Sequence, residues 1–377
     1  MRILHVIDSL ELGGAERMLV EIANSATADG HEVSACVTRS ATTLASDLHP
    51  KIKLTTLNRS RQIGLHAMRR LADEGRRQRI DVLHAHGRST LSFLAAMRTL
   101  RMTSIPIVFH DHASIETDQS VPRWLRLWGR HHIEQYVGVY AKLGDWAAHS
   151  GIASERINII ENALDFRRFD GEPSPRDFGL RKQFAIPDEL PLGVVVGNIR
   201  PEKGVDVLLN ALAHSQQRGT YKIVLIGGER DTDYVAACRS QCSALGLDDT
   251  VFFAGQRVDA TALLTDADFA VLPSRSESGA LTLIEYMVMG LPFVATPVGA
   301  VGSRVSALGL PEFIPAEDAE DLATAIGNLL QLTPQQRRER GEIGRQAARR
   351  YFDIRKAMPQ WYAVYNAAIA GNERGVL

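Results

Sequence analysis

Residues 268–292 read DFAVLPSRSESGALTLIEYMVMGLP, a short apolar run followed by a polar loop and a second apolar segment. The first run ends at Pro273, which is typical of a strand buried in a parallel sheet. Serines and a glycine then precede apolar residues at helical spacing, so the stretch predicts a strand–loop–helix unit. Such a helix directs free N–H groups and the positive end of its dipole at the carboxyl edge of the sheet, which suits a diphosphate.

Two carboxylates, Glu277 and Glu285, stand eight residues apart across this junction. Glu285 lies in the first turns of the predicted helix, where it would accept hydrogen bonds from a ribose diol. Glu277 lies in the loop, where it would reach a second polyol. This geometry suits a nucleotide-sugar site, but two glutamates near a helix start are usually capping and solvated charges, so the surrounding sequence decides between the two interpretations.

Size and composition indicate a two-domain protein of the cytosol. The chain has 377 residues, 45% hydrophobic and 23% charged, with a net charge of −1, and this length exceeds the usual single core. Its three cysteines suggest structural thiols in a reducing compartment. No apolar run approaches the roughly 18–20 residues that span a bilayer, and the N-terminus reads as a strand and not as a signal peptide. We expect no nucleic-acid partner.

Strand-like and helix-like segments alternate twice along the chain, which predicts parallel sheets covered by helices. The alternation pauses over residues 171–190, where prolines and polar residues indicate a linker. We therefore predict an α/β fold with a Rossmann-like domain over residues 1–170, a second one over residues 191–355, and a C-terminal helix over residues 356–377. In tandem Rossmann-like units, ligands bind at the carboxyl edges of the strands. Pro359 is expected to kink or restart the last helix.

The chain resembles retaining glycosyltransferase family 4, also called glycosyl transferases group 1. The resemblance rests on the Glu-x7-Glu pair, on the trailing Met287-x-x-Gly290-x-Pro292, and on a Gly13-Gly14-Ala-Glu loop after the first strand. It implies the GT-B fold, in which two Rossmann-like domains face each other across a cleft and the last helix crosses back to the first domain. It also implies that the N-terminal domain binds the acceptor and the C-terminal domain binds a nucleoside-diphosphate sugar, with no cofactor and no metal.

The resemblance further implies roles for individual residues. Lys203, before Gly204, matches the phosphate-binding lysine, and Arg200 would replace an arginine of the family, where this chain has Asn198. Three residues would be catalytic: His110, Lys203 and Glu277. The donor would also be bound by Gly14, Arg200, Arg257, Gly279, Ala280, Leu281 and Glu285. The acceptor would be bound by Gly13, His84 and His86.

Histidines follow two consecutive strands, in His84-Ala-His86 and in His110-Asp-His112. Because the strands belong to one sheet, these imidazoles are expected to converge. A metal site that Asp111 joins is one interpretation, and the family resemblance supplies a metal-free one, in which His110 contacts the donor sugar near the reacting carbon.

Two segments of the first domain have the composition of a membrane-contacting surface. A helical stretch carries five arginines, Arg69, Arg70, Arg76, Arg77 and Arg79. Residues 124–132 combine two tryptophans with basic residues. Each is either a helix with a solvated basic face or a peripheral contact with anionic lipid or with a lipid-linked acceptor.

From these features we predict a retaining, metal-independent glycosyltransferase that moves a sugar to a hydroxyl of a saccharide, a polyol or a lipid-linked acceptor. Cell-surface polysaccharide or glycolipid synthesis is the expected setting, in the cytoplasm or peripherally on the inner face of the membrane. Two alternatives stay open. One is a sugar-nucleotide epimerase of the same fold, and the other is a non-catalytic nucleotide-sugar-binding protein, which Asn198 favours.

Overall fold

The structure is a computed structural model. It describes residues 1–60, 64–113, 122–170, 179–215, 217–258, 260–309 and 313–374. Its contacts divide into two α/β units. Unit 1 comprises Met1–Asp165 and the chain from Asp353 onward, and unit 2 comprises Phe166–Phe352.

Unit 1 is built on a seven-stranded parallel sheet with the strand order β3-β2-β1-β4-β5-β6-β7. The strands are β1 (Arg2–Ile7), β2 (Glu32–Val37), β3 (Lys53–Thr56), β4 (Val82–His86), β5 (Ile107–Asp111), β6 (Gln135–Gly138) and β7 (Ile157–Ile159). The intervening helices are α1 (Gly14–Ala28), α2 (Leu65–Arg77), α3 (Arg88–Thr99), α4 (Arg123–Leu127) and α5 (Ala141–His149). Every residue of β4 and β5 is buried, as expected for central strands covered on both faces.

Unit 2 repeats this plan with five parallel strands in the order β10-β9-β8-β11-β12. The strands are β8 (Leu192–Val196), β9 (Lys222–Ile226), β10 (Val251–Gly255), β11 (Phe269–Leu272) and β12 (Phe293–Ala295). The helices are α6 (Leu180–Gln183), α7 (Val205–His214), α8 (Thr232–Ala244), α9 (Ala260–Leu263), α10 (Leu281–Val288), α11 (Gly299–Ala307), α12 (Ala319–Gln331) and α13 (Pro334–Tyr351).

The last helix, α14 (Ile354–Arg374), belongs to unit 1, where it packs on α1 and on strands β4, β5 and β6. It is anchored by the indole of Trp361 and the ring of Tyr365, both 0% exposed. The helix runs through Pro359 without interruption, so the expected restart there is wrong. Pro359 lies in the second turn, where its missing N–H costs a single hydrogen bond, the one to the carbonyl of Arg355.

Part of the predicted linker is attached to unit 2. Residues 171–178 lie outside the described residues. In the described part, the Arg181 guanidinium pairs with the carboxylate of Asp268 at 2.6 Å and donates to the carbonyls of Pro187 and Leu190. These contacts hold α6 beside the start of β11.

The strand order places loops at two switch points. In each sheet the chain moves outward from the first strand on one side and then returns to its other side, so β1 neighbours β4 and β8 neighbours β11. Ligands of open α/β sheets bind outside the carboxyl ends of the strands at such points. In unit 2 the loops after β8 and β11 are the segments that carry Lys203 and Glu277.

Candidate functional site

The two loops at the switch point of unit 2 bring a lysine and a glutamate together. The Lys203 ammonium lies 2.5 Å from Oε1 of Glu277, and Ser274 Oγ donates to the same oxygen at 2.8 Å. Both charged side chains are largely covered, at 19% and 11% exposed. The sequence predicted each residue separately, and the structure joins them in one ion pair. A cation, a carboxylate and a hydroxyl at one switch point are groups that could bind a phosphate beside a polyol.

A close approach of the two loops depends on Gly204, which follows Lys203. Gly204 has φ +63° and ends the 3-10 turn Pro201–Lys203. A Cβ at this position would lie 2.1 Å from the carbonyl oxygen of Pro273. Only glycine accepts both the left-handed conformation and this approach, and the loop that carries Lys203 therefore lies directly against the end of β11.

A second ion pair, between Arg275 and Asp206, links the loop after β11 to the start of α7. The Arg275 guanidinium makes two contacts of 2.7 and 2.8 Å with Asp206 at the start of α7, and it donates to the Pro201 carbonyl at 2.8 Å. The hydrogen bond from Arg275 lowers the pKa of Asp206 to about 2, and Tyr234 Oη adds a 2.6 Å bond. The sequence analysis did not identify this network. In the sequence, the only indication of this network is Arg275, two residues before Glu277.

Helix α10 begins at the predicted position, and its N-terminal amides face the loop. Ala280 is the N-cap and has φ +35°, an unusual conformation for a residue other than glycine. No side chain among the described residues caps α10. Glu285 lies in the helix at 15% exposure, with one carboxylate oxygen 3.8 Å from the guanidinium of Arg168. Arg168, in the 3-10 turn Phe166–Phe169, was not predicted as a site residue.

Of the remaining predicted donor residues, Arg200 follows β8 and Arg257 follows β10 in unit 2, whereas Gly14 lies in unit 1. Asn198 accepts a 3.0 Å hydrogen bond from the amide of Gly228 through Oδ1, which ties the loop after β8 to the loop after β9. This structural use accounts for an asparagine at the position. Arg200 is exposed two residues further on. Arg257 donates to Gln183 of α6 at 2.7 Å.

The switch point of unit 1 carries the predicted glycine loop. Gly13 is the N-cap of α1, and Gly14 is its first residue. Glu16 in the first turn accepts a 3.3 Å hydrogen bond from Ser9, and burial raises its pKa. Asp8, directly after β1, pairs with the fully buried guanidinium of Arg59. Neither Asp8 nor Arg59 was predicted as a site residue, although Asp8 opens the loop that leads to Gly13 and Gly14.

Five histidines form a cluster within unit 1, on the sheet face that α14 covers. His84, His86, His110 and His112 converge as predicted, and His5 of β1 joins them. The contacting ring centroids are 3.8 to 5.6 Å apart. His5 was not predicted, because nothing in the sequence of a buried strand indicates that it pairs in register with His84.

The cluster is closed off by side chains of α14. Trp361 lies 4.9 Å from the His84 ring and 4.7 Å from the His110 ring, and Tyr365 Oη lies 2.9 Å from His84 Nδ1. Both ring nitrogens of His110 are without a hydrogen-bond partner among the described residues. The roles predicted for His110 toward the sugar, and for His84 and His86 toward the acceptor, stay predictions.

Burial keeps the cluster uncharged. It lowers the pKa of His5 and of His112 to about 3. For His84, His86 and His110, burial and then the neighbouring imidazoles lower the pKa well below its usual value. Neutral imidazole offers one nitrogen lone pair per ring, so the cluster presents ligand atoms instead of positive charge.

Asp111 does not belong to the cluster. Successive residues of a strand point to opposite faces, and the Asp111 carboxylate contacts Arg88 at 3.3 Å and the hydroxyl of Tyr136 at 3.2 Å instead. The expectation that it joins a metal site with the histidines is therefore wrong.

The two segments with the composition of a membrane-contacting surface make different side-chain contacts. In α2, Arg76 and Arg77 pair with acidic residues three positions earlier in the same helix. In α4, Leu127 is 69% exposed, while the indole N–H of Trp128 donates to the Thr99 hydroxyl at 2.7 Å. Within the described residues, no helix is both long enough and apolar enough to cross a bilayer.

Comparisons with known proteins agree with the architecture. The model of the family Glycosyltransferase Family 4 matches residues 12–168, and that of Glycosyl transferases group 1 matches residues 191–332. The chain is 31% identical over 185 residues to D-inositol 3-phosphate glycosyltransferase 2 of Catenulispora acidiphila, covering 46% of this chain and 42% of that protein. It is 24% identical over 331 residues to the MMP alpha-(1->4)-mannosyltransferase of Mycolicibacterium hassiacum, covering 81% and 74%.

Among solved structures, Anabaena Alr3699/HepE in complex with UDP and glucose matches with a TM-score of 0.81 at 20% identity, over 97% of this chain and 100% of that one. This likeness confirms the predicted GT-B fold class. The chain spans less than half the length of the D-inositol 3-phosphate glycosyltransferases that it matches.

Proposed function

Because the chain belongs to the family 4 and group 1 glycosyltransferases, we propose that it transfers a sugar from a nucleoside-diphosphate sugar to a hydroxyl acceptor with retention of configuration. The observation that carries the proposal is the contact between Lys203 and Glu277 at the switch point of unit 2. A leaving diphosphate gains negative charge, and a fixed cation next to it lowers the barrier. The neighbouring carboxylate would accept hydrogen bonds from the sugar.

Four groups would hold the donor. Lys203 and the amides of residues 279–281 at the start of α10 would bind the diphosphate. Glu285, held near Arg168, would accept from the ribose. Glu277 would exchange its contact with Lys203 for contacts with sugar hydroxyls when the diphosphate arrives and takes the ammonium.

In the proposed reaction, the bond between the anomeric carbon and the diphosphate oxygen breaks, and the acceptor oxygen bonds to the same face of that carbon. The acceptor proton passes to the leaving diphosphate. Charge on the diphosphate is compensated by Lys203 and by the dipole of α10, so the transfer is proposed to need no divalent metal. Turnover should then survive exhaustive chelation by EDTA.

The acceptor is proposed to be a hydroxyl of a saccharide, polyol or lipid-linked saccharide, bound by unit 1 near Gly13. The relatives include D-inositol 3-phosphate glycosyltransferases and a mannosyltransferase, so polyol and sugar acceptors are the first to test. If the acceptor is lipid-linked, the exposed Leu127 and the arginines of α2 would be the first groups to test for contact with anionic headgroups.

A donor panel tests the proposal. UDP-glucose and other nucleotide sugars are incubated with the protein, and nucleotide release is measured with and without acceptors. Acceptor-dependent release, with a product whose anomeric configuration matches the donor by NMR, is expected. Release of free sugar without any acceptor identifies an epimerase or hydrolase. A thermal shift with nucleotide sugars but no turnover under any condition identifies a binding protein.

A further inference from the structure

We propose that His5, His84 and His86 bind one divalent transition-metal ion inside unit 1. The proposed ligands lie in unit 1, whereas Lys203 and residues 279–281, which are proposed to bind the diphosphate, lie in unit 2. The proposed site rests on the geometry of the three imidazoles and on the groups around them.

The three rings bring their ligand nitrogens close together. One nitrogen from each ring lies within 4.8 Å of the nitrogens of the other two. A tetrahedral ion with metal–nitrogen bonds of about 2.0–2.1 Å needs ligand nitrogens about 3.4 Å apart. His5 Nδ1 and His86 Nε2 lie 3.0 Å apart in a hydrogen bond, and the His84 and His86 rings are stacked with their centroids 4.1 Å apart, so these rings must turn to direct one nitrogen each at the ion.

The backbone holds these rings in place. His5 and His84 are paired residues of adjacent strands, and His86 lies two residues on, so all three side chains point to one sheet face. The rings are at most 2% exposed. Rigid strands position ligands more precisely than loops do.

Two buried ring nitrogens without a hydrogen-bond partner and a supporting hydroxyl point to a bound ion. Nε2 of His5 and Nε2 of His84 are buried without a hydrogen-bond partner among the described residues, an arrangement that is costly unless a ligand satisfies them. On its other side, His84 hydrogen-bonds to Tyr365 of α14. A metal-bound histidine usually has such a partner for its second nitrogen, which fixes the ring orientation.

The donor set selects the metal. Imidazole nitrogens suit Zn²⁺, Co²⁺, Ni²⁺ and Cu²⁺, whereas Mg²⁺ and Ca²⁺ prefer oxygen ligands. The ion is therefore not the kind that bridges a nucleoside diphosphate. An ion held here would also occupy the ring nitrogens that the family resemblance assigns to an acceptor, so metal and acceptor are competing uses of His84 and His86.

The test measures binding to the full chain, without an activity readout. Metal-depleted protein is titrated with Zn²⁺, and stoichiometry, melting temperature and the visible spectrum of the Co²⁺ form are recorded. One equivalent of bound ion, a higher melting temperature and a tetrahedral Co²⁺ spectrum are expected. Binding of less than about 0.1 equivalent to folded protein overturns the proposal.

Variants locate the site. His5→Gln should abolish binding, and Tyr365→Phe, which removes only a hydroxyl, should weaken it by about 10–100-fold. His110→Gln is the matched control, because His110 belongs only to the other possible ligand set, with His86 and His112, and its ring nitrogens make no hydrogen bond to a proposed ligand among the described residues. Retained binding in the control supports the assignment, and lost binding moves the ion to that other set and overturns it. If His5→Gln does not fold, the other two variants decide.

Discussion

Replacing Lys203 with alanine tests the proposed donor site at its centre. The substitution removes the ammonium that lies 2.5 Å from Glu277 and leaves that carboxylate with the Ser274 hydroxyl as a partner. The main chain is expected to stay in place, because Gly204 and the Arg275–Asp206 pair hold the two loops independently of Lys203.

The expected loss follows from the environment of the ammonium. Lys203 is 19% exposed, so solvent screens its charge less than that of a surface lysine. Removing one preorganised group that stabilises charge developing in a transition state costs about 10²–10³ in turnover, or about 3–4 kcal/mol. The free energy of unfolding should fall by about 1.5–3 kcal/mol, since a hydrogen bond between charged groups is lost.

The assay is the initial rate of acceptor-dependent nucleotide release over a range of donor concentrations, with melting temperatures recorded in parallel. Lys203→Arg keeps the charge and should retain more activity than the alanine variant. Lys222→Ala is the matched control, because the Lys222 ammonium bonds the Asp249 carbonyl on the surface of the same unit. A kcat/KM for Lys203→Ala within about threefold of wild type, less than 1 kcal/mol, would refute the assignment.

Three further predictions concern residues that support the two proposed sites. Gly204→Ala should destabilise the protein by about 1–3 kcal/mol more than Gly309→Ala in chemical unfolding, because both glycines have positive φ and only Gly204 would meet a backbone oxygen. The pKa of Asp206 is lowered from 3.8 to about 2, so the stability that the ionised carboxylate contributes is complete above pH 3.8 and is lost as the pH falls through 2. The difference in melting temperature between wild type and Asp206→Asn should therefore shrink over that pH interval. An unchanged difference contradicts the pairing of Asp206 with Arg275. Trp361→Ala should cost about 3–5 kcal/mol, because it empties a fully buried indole site under α14, and amide exchange should then accelerate in that helix; unchanged exchange would show that the indole does not anchor it.

Much of the architecture follows from local patterns. β11 occupies the apolar run that was predicted as a strand before Pro273, since short buried apolar runs between turn residues have few other conformations available. The family resemblance located Lys203, Glu277 and Glu285 without any coordinates. In these cases the signal lies within about ten neighbouring residues.

Other features depend on contacts between residues far apart in the chain. The Lys203–Glu277 pair joins positions 74 residues apart, and the bond between His84 and Tyr365 joins positions 281 apart. No spacing rule relates such residues, because strand order and register decide which side chains meet. Asp111 shows the same limit, since its neighbours in sequence point to the opposite sheet face.

The sequence by itself therefore determined the two Rossmann-like domains, the family and the loops that carry the chemistry, because each depends on local periodicity and short motifs. Tertiary structure alone decided that Lys203 is paired with Glu277, that Arg275 is held by Asp206, and that His5 completes a buried cluster under the last helix. The physical reason is that parallel strands adjacent in a sheet are separated in the chain by whole crossover connections, so the partners of a strand-end residue are set by topology.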